Sequence, residues 1–502
     1  MNAPLLNGGI VAGTLAEDSA TPSLSLQQIF SFTDTSSSSG PDFQGLNIVN
    51  APNGIGTLTA TLLDEATGLG GDTTGSVQWS YSVANAAVQY LAAGETRVME
   101  YRIEVIDLDG NTLSQPITIT ITGTNDAPVI TTAAPTHGFG EDAATLLTVT
   151  SSLAFTDVDS IDTHTVSVTA VFASGQMQGL SLGPTALQAL LSTTISTTAG
   201  TAPAGATGQI GYTFSANSSA FQYLAQGEVL TLNYLLVLSD GKGGTATRDV
   251  VITVTGANDA PVLTAVSGSY TDTAADDSFA DLTGSLVATD VDVSDTLTFG
   301  IAESAPSTEN GYDVAKASTY GTLHVNATTG AYKFIPDDAA IEGLKGNATV
   351  TFTVTVADGK GGTDSKDVTI TLTGANDTAV VTGDISGSVT EDGTTPGTAV
   401  FIGDLGHTDR DAADADDTWN VVANASGAYG TFTLAADGQW SYTLNNNHPA
   451  VQALNVGQTL IDSPTIFTSG ATPQQISVTI NGANDASVSL GSSGTVGEAG
   501  GC

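Results

Sequence analysis

Apolar and polar residues alternate singly along much of the chain. Ile117-Thr-Ile-Thr-Ile121, Val250-Val-Ile-Thr-Val254, Thr349 to Val356 and Ile476-Ser-Val-Thr-Ile480 put an apolar or β-branched residue at every second position. That period buries one face of a strand and wets the other, as in an antiparallel sandwich. Frequent Gly and Thr disfavour long helices. Four aromatic strands follow the same period: Trp79-Ser-Tyr81, Tyr212-Thr-Phe214, Tyr332-Lys-Phe334 and Trp440-Ser-Tyr442. Residues two apart on a strand share a face, so these pairs read as core rather than as a sugar-stacking platform. Each leads into a short segment of helical spacing, Ala86 to Glu95, Ala220 to Glu228, Ala339 to Asn347 and Ala450 to Gln458, which predicts a single Gly-terminated turn. Hairpin turns are marked by Asp107-Leu-Asp-Gly110, Asp240-Gly-Lys-Gly-Gly244 and Asp358-Gly-Lys-Gly-Gly362. In the fourth copy Ser469-Gly470 stands where an acidic turn is expected, and Thr185 to Thr194 predicts a short helix inside an insertion near 181–208.

The elements recur because the chain is an array. TGTNDAPVI (Thr122 to Ile130), TGANDAPVL (Thr255 to Leu263), TGANDTAVV (Thr373 to Val381) and NGANDASVS (Asn481 to Ser489) each close a unit, and their aspartates are 133, 118 and 108 residues apart. Units of that length can each bury their own core. The expected division is 1–126, 127–259, 260–377 and 378–485, with 486–502 opening a fifth repeat or forming a tail. Asn2-Ala3-Pro4 looks like the end of an earlier mark, so the chain reads as a segment of a longer repeat protein.

Charge narrows the function. Asp and Glu number 52 against 10 Lys and Arg, a net charge of −42. Phosphate contacts need basic residues, so nucleic acid is excluded as a partner, and an anionic membrane surface is disfavoured. No apolar run approaches the ~18 residues of a membrane span. The single cysteine, Cys502, excludes an internal disulfide and reads as an accidental terminus. A halophilic surface, plain solubility and divalent cation binding all fit this charge, and the clustering of acids at repeated positions favours the cation. Acidic openings come first, at Glu17-Asp18, Glu141-Asp142, Asp276-Asp277 and Glu391-Asp392. Next come Asp34 alone, then Asp157-Val-Asp159, Asp290-Val-Asp292 and Asp409-Arg-Asp411.

Calcium takes six to eight oxygen ligands, and neither an EF-hand loop nor the GGxGxD nonapeptide is present to supply them locally. Loops gathered where one sandwich meets the next can supply them instead. At the first joint, Asn125 and Asp126 leave one unit, and Glu141, Asp157, Asp159 and Asp240 are expected from the next.

The NDAP mark, acidic opening, DxD and DG(K)GG turn resemble cadherin-type repeats, whose calcium sites lie between successive sandwiches. The order G-x-W-x-Y, A-V-Q-x-L-x-x-G, T-[IV]-x-G-[TA]-N-D is similar to VCBS repeats of bacterial surface proteins, including long secreted, biofilm and RTX adhesins exported by type I secretion. The resemblance implies an all-β fold of tandem Ig-like, cadherin-like antiparallel β-sandwich domains in an extended array, on the order of 130–150 Å for four in line. It implies calcium at a second joint from Asn258, Asp259, Asp277, Asp290, Asp292 and Asp358, and at a third from Asn376, Asp377, Glu391, Asp409 and Asp411. The third lacks a turn acid and is expected to bind more weakly or to hold fewer ions. The function so implied is a calcium-rigidified extender of a bacterial cell-surface or biofilm adhesin, whose partners are calcium ions and neighbouring repeats. Its alternative is a carbohydrate- or cell-binding module contacting glycan or protein. The five histidines do not recur at equivalent positions, and no nucleophile elbow, phosphate loop or zinc motif is present, so an enzyme is not expected.

Overall fold

A computed structural model describes residues 3–17, 21–34, 43–65, 73–200, 204–411 and 418–486. Asp18, most of the expected tail and Cys502 lie outside them. The chain forms two compact units, Met1–Asp259 with Val291–Asp295, and Ala260–Asp290 with Thr296–Cys502. Each holds two separate hydrophobic cores.

In the first unit, the alternating runs become β1 (Leu5–Gly9), β2 (Ala12–Ala16), β3 (Ser23–Thr33), β4 (Phe43–Val49), β5 (Thr57–Asp64), β6 (Thr74–Ala84), β7 (Thr96–Asp107) and β8 (Thr112–Thr122). They form two facing four-stranded sheets, β1-β3-β6-β5 and β2-β8-β7-β4. The second repeat has the same plan. Its strands are β9 (Val129–Ile130), β10 (Thr136–Gly140), β11 (Leu146–Asp157), β12 (Thr165–Gly175), β13 (Leu191–Thr198), β14 (Ala206–Asn217), β15 (Val229–Ser239) and β16 (Thr245–Thr255), in sheets β13-β14-β11-β9 and β10-β16-β15-β12. Its insertion supplies a short helix, α1 (Pro184–Ala189), whose Leu187 enters the core and whose carbonyl accepts a 2.9 Å hydrogen bond from Tyr234 Oη.

In the second unit, Val266–Thr271, Thr363–Thr373, Ala348–Ala357 and Thr298–Ile301 form one sheet of the third repeat. Leu282–Ser285, Ala331–Pro336, Gly321–Val325, Val314–Ser318 and Ala305–Pro306 form the other. The fourth repeat pairs Val380–Gly383, Val400–Thr408, Gln439–Leu444, Gly430–Leu434 and Val422–Ser426 against Ser386–Thr390, Ser477–Asn481 and Thr459–Asp462.

The aromatic strands line these cores. Trp79, Tyr81, Tyr212, Phe214, Phe334, Trp440 and Tyr442 are all at most 2 % exposed, and Trp419, the remaining tryptophan, is 4 % exposed. Sugar stacking on these rings is thereby overturned. The segments of helical spacing form single turns at Asn85–Ala87, Ser218–Ala220 and Asp338–Glu342. No helix among the described residues is long and apolar enough to cross a membrane.

Those turns explain the glycine of the T-G-x-N-D mark. A Cβ on Gly123 would lie 2.1 Å from the Leu91 carbonyl oxygen, one on Gly256 2.2 Å from that of Leu224, and one on Gly374 2.0 Å from that of Leu344. The turn thus packs directly on the backbone of the outgoing mark, and Gly256 N–H donates to the Glu228 carbonyl at 2.8 Å. Gly256→Ala is expected to destabilise the second repeat by about 1–3 kcal/mol, the usual cost of overpacking, read as a lower denaturation midpoint at unchanged slope.

One pairing controls where acids can meet. In every repeat the strand preceding the acidic opening runs parallel to the last strand: β2 with β8, β10 with β16, Val266–Thr271 with Thr363–Thr373, and Ser386–Thr390 with Ser477–Asn481. The residue after that strand therefore lies at the outgoing end of its own repeat.

Candidate metal centre

Each opening residue caps the outgoing mark. Glu17 Oε2 accepts from Thr124 N at 2.8 Å, Glu141 Oε1 from Ala257 N at 2.6 Å, Asp272 Oδ2 from Ala375 N at 3.0 Å, and Glu391 Oε1 from Ala483 N at 2.8 Å. All four acids are buried. This corrects three expectations. Glu141 sits not with Asn125 and Asp126 but with Asp259 and Asp292. It follows β10, so β11, about 36 Å of extended chain, separates it from Asp157. Glu391 likewise belongs with Ala483 rather than with Asn376 and Asp377. In the third repeat the true opening is Asp272, while Asp277 lies farther on, its N–H donating to Glu342 Oε1 at 3.0 Å.

The first cluster gathers residues from both repeats of the first unit. Asp126 N–H donates to Asp159 Oδ2 at 3.0 Å, and Asn125 Nδ2 to Asp240 Oδ2 at 2.8 Å. Asp159 N–H donates to Asp157 Oδ1 at 3.1 Å, while His164 Nε2 lies 2.8 Å from Asp157 Oδ2. Carboxylate oxygens of Asp157, Asp162 and Asp240 fall within 4.8 Å of one another. Burial, together with neighbouring Asp157, Asp162 and Asp126, pushes Asp159 up to about 7, although the Asp126 N–H pulls the other way. Burial raises Asp126 as well, reinforced by Glu17 and Asp157. Asp240 is held low instead: burial opposes ionisation, but hydrogen bonds from Asn125 and from the amides of Lys242, Gly244 and Gly243 outweigh it.

At the outgoing end of the second repeat, Glu141, Asp259 and Asp292 have oxygens within 4.8 Å of one another. Asp259 N–H donates to Asp292 Oδ2 at 2.9 Å, repeating the Asp126–Asp159 bond, and Asn258 Nδ2 donates to the Asp259 carbonyl at 2.9 Å. Glu141 is pushed up to about 7, chiefly by burial, with Asp142, Asp259 and Asp292 adding to it against the Ala257 N–H. Asp290 and Asp358 belong to the second unit, where Asp358 Oδ1 accepts from the amides of Lys360, Gly361 and Gly362.

Inside the second unit, Asp272, Glu342 and Asp377 form a third such cluster. Asp377 N–H donates to Asp411 Oδ2 at 2.9 Å, Asp411 N–H to Asp409 Oδ1 at 3.1 Å, and Asn376 Nδ2 to the Asp377 carbonyl at 2.9 Å. Burial and the surrounding Asp272, Glu342, Asp411 and Asp409 raise Asp377 to about 6.

Glu17, Asp162, Asp272 and Glu342 join these clusters without having been expected there. Glu342 occupies the place of Gln89, whose amide donates to Glu17. It resupplies the reach that Asp272, one methylene shorter than Glu17, lacks.

The donor set suits a hard cation. It is built of carboxylate and amide oxygens, without thiols. No hydrogen-bond donor reaches Asn125 Oδ1, Asp126 Oδ2, Asp159 Oδ1, Glu141 Oε2, Asp272 Oδ1, Glu342 Oε2 or either carboxylate oxygen of Asp377, all of them buried. Two ionised carboxylates 4.8 Å apart repel by about 3–4 kcal/mol at an effective dielectric near 20. A divalent cation reverses that sign and satisfies the orphaned oxygens together.

Residues 258–374 and 376–482 each match the bacterial cadherin-like domain. No curated protein matches the chain. Similar solved structures include protocadherin gamma B2 extracellular cadherin domains 1–5, at 14 % identity and TM-score 0.38, covering 97 % of this chain and 82 % of that one. Another is Drosophila N-cadherin EC1–4, at 12 % identity and TM-score 0.27, covering 87 % and 94 %. The family match covers the third and fourth repeats, and the first and second share with them the two-sheet plan and the parallel pairing of an early strand with the last.

Proposed function

We propose that the chain is a calcium-stiffened extender from a bacterial cell-surface or biofilm adhesin, a secreted array of cadherin-like repeats with VCBS character. The observation that carries this is the set of buried carboxylate oxygens, without hydrogen-bond donors, at the ends of repeats. Asn125, Asp126, Asp157, Asp159 and Asp240 with Glu17 and Asp162 would hold calcium at the first cluster. Asn258, Asp259 and Asp292 with Glu141 would do so at the second. Asn376, Asp377, Asp409 and Asp411 with Asp272 and Glu342 would serve the third. Asp290 and Asp358 remain candidate ligands. The ion would supply the positive charge that lets these acids stay ionised while buried.

The protein's own residues do the positioning. The Asp126 and Asp377 amides tie each outgoing mark to the DxD loop of the next repeat, at 3.0 and 2.9 Å.

Limited digestion with a broad-specificity protease tests the proposal. With millimolar calcium, cleavage at 122–127 and 373–378 is expected to be slow, and excess chelator is expected to release fragments ending at those marks. Identical patterns in the two conditions would overturn it.

A further inference from the structure

The fourth repeat keeps the turn of the other three but not its acid. Asp240 N–H donates to the Gly244 carbonyl at 3.3 Å and Asp240 Oδ1 accepts from Gly244 N at 3.0 Å. Thr468 does the same: its N–H donates to the Thr472 carbonyl at 3.1 Å, and its Oγ1 accepts from Thr472 N at 3.1 Å. The residue standing at the acid's place is therefore Thr468, 1 % exposed, and not the expected Ser469-Gly470. A threonine has one side-chain oxygen, and the turn uses it. The second oxygen, which in Asp240 accepts from Asn125, has no counterpart, and the charge that Asp240 brings to Asp157 and Asp162 is missing with it.

A second, independent difference lies in the third repeat. Lys345 Nζ is 3.7 Å from Asp411 Oδ2, the carboxylate that also receives the Asp377 amide. Lys345 follows Leu344, whose carbonyl packs on Gly374 as those of Leu91 and Leu224 pack on Gly123 and Gly256. Its counterparts are therefore Ala92 and Ala225, which bring no charge. Asp272, Glu342 and Asp377 meanwhile persist as a buried triad, and Asp377, 5 % exposed, has both carboxylate oxygens without a donor.

We propose that the third-to-fourth repeat junction holds fewer calcium ions than the first-to-second, retaining the inner site at Asp272, Glu342 and Asp377 while the Lys345 ammonium replaces an outer ion whose turn ligand became Thr468. This rests on calcium as the resident ion. The lysine supplies one fixed positive charge where an ion would supply two, so it offsets part of the acidic charge without depending on calcium concentration.

Equilibrium dialysis of the full chain against calcium chloride counts the ions. T468D/K345A is expected to bind at least one more calcium per chain than the parent. K345A alone, which leaves the turn untouched and so guards against misfolding of the double variant, is expected to tighten the weakest binding step at least threefold. If the parent binds calcium and neither change appears, the assignment is overturned while calcium binding itself stands. If the parent binds none, both fall together.

Discussion

Removing calcium at neutral pH is expected to lower the first melting transition by roughly 10 °C. One ion present at a hundred times its dissociation constant stabilises by about 2.7 kcal/mol, and each kcal/mol is worth several degrees in a repeat of this size. The effect has a pH signature that simple salt stabilisation lacks. Without calcium, Glu141 and Asp159 titrate near 7 and Asp377 near 6 in the folded protein, against about 4 in the unfolded chain. Between those limits the folded state holds more protons, so stability falls as pH rises from about 4 to 7 and levels off above. With saturating calcium the folded carboxylates are deprotonated, as they already are in the unfolded chain above about pH 5, so the pH dependence is largely abolished over that window. Melting at pH 5 and 7.5 is expected to show a clear loss of stability with rising pH in chelator and little change in saturating calcium. Equal slopes would show that the buried acids do not bind the ion.

Asp240→Thr is expected to separate folding from metal binding. Thr468 shows that a single hydroxyl oxygen closes this turn. The variant should therefore keep its calcium-free stability within about 1 kcal/mol of the parent, a normal range for substitutions that spare the fold. It loses the oxygen that accepts from Asn125, together with the carboxylate charge grouped with Asp157 and Asp162. Calcium affinity at the first cluster should drop at least tenfold, about 1.4 kcal/mol. Asp240→Ala, by contrast, should lose both properties, because nothing then accepts from the Lys242 and Gly244 amides. A calcium titration unaffected by Asp240→Thr would exclude this aspartate as a ligand.

Much of the fold is legible in the chain because strands declare themselves locally. Single alternation, Asp-Gly turns and a glycine-closed turn after each aromatic strand are short-range signals, and each corresponds to an observed element. The placement of the openings is not local. Glu141 precedes Asp157 by sixteen positions, and only the parallel pairing of β10 with β16 carries it to the opposite end of the sandwich. Linear order says nothing about that pairing. Asp272 is hidden for a related reason: Asp276-Asp277 looks more like the other openings, yet Asp272 N–H makes the 2.9 Å bond to Thr373 that Glu17 N–H makes to Thr122. Glu342 reads as one acid on a solvated turn until the fold buries it beside Asp377. The role of Thr468 shows only through its hydrogen bonds, since a threonine in a β-rich chain carries no signal of its own.

The parallel seam also sets the path of mechanical load. Within a repeat, tension enters near the first strands and leaves through the last, and those two lie side by side across five or six paired residues. Pulling the ends slides the pair lengthwise, so its hydrogen bonds are strained together instead of unzipping one by one. The remaining strands of each sandwich are bypassed. Under tension each repeat would thus bear force through a short rail along one edge, with a buried acid at the rail's outgoing end.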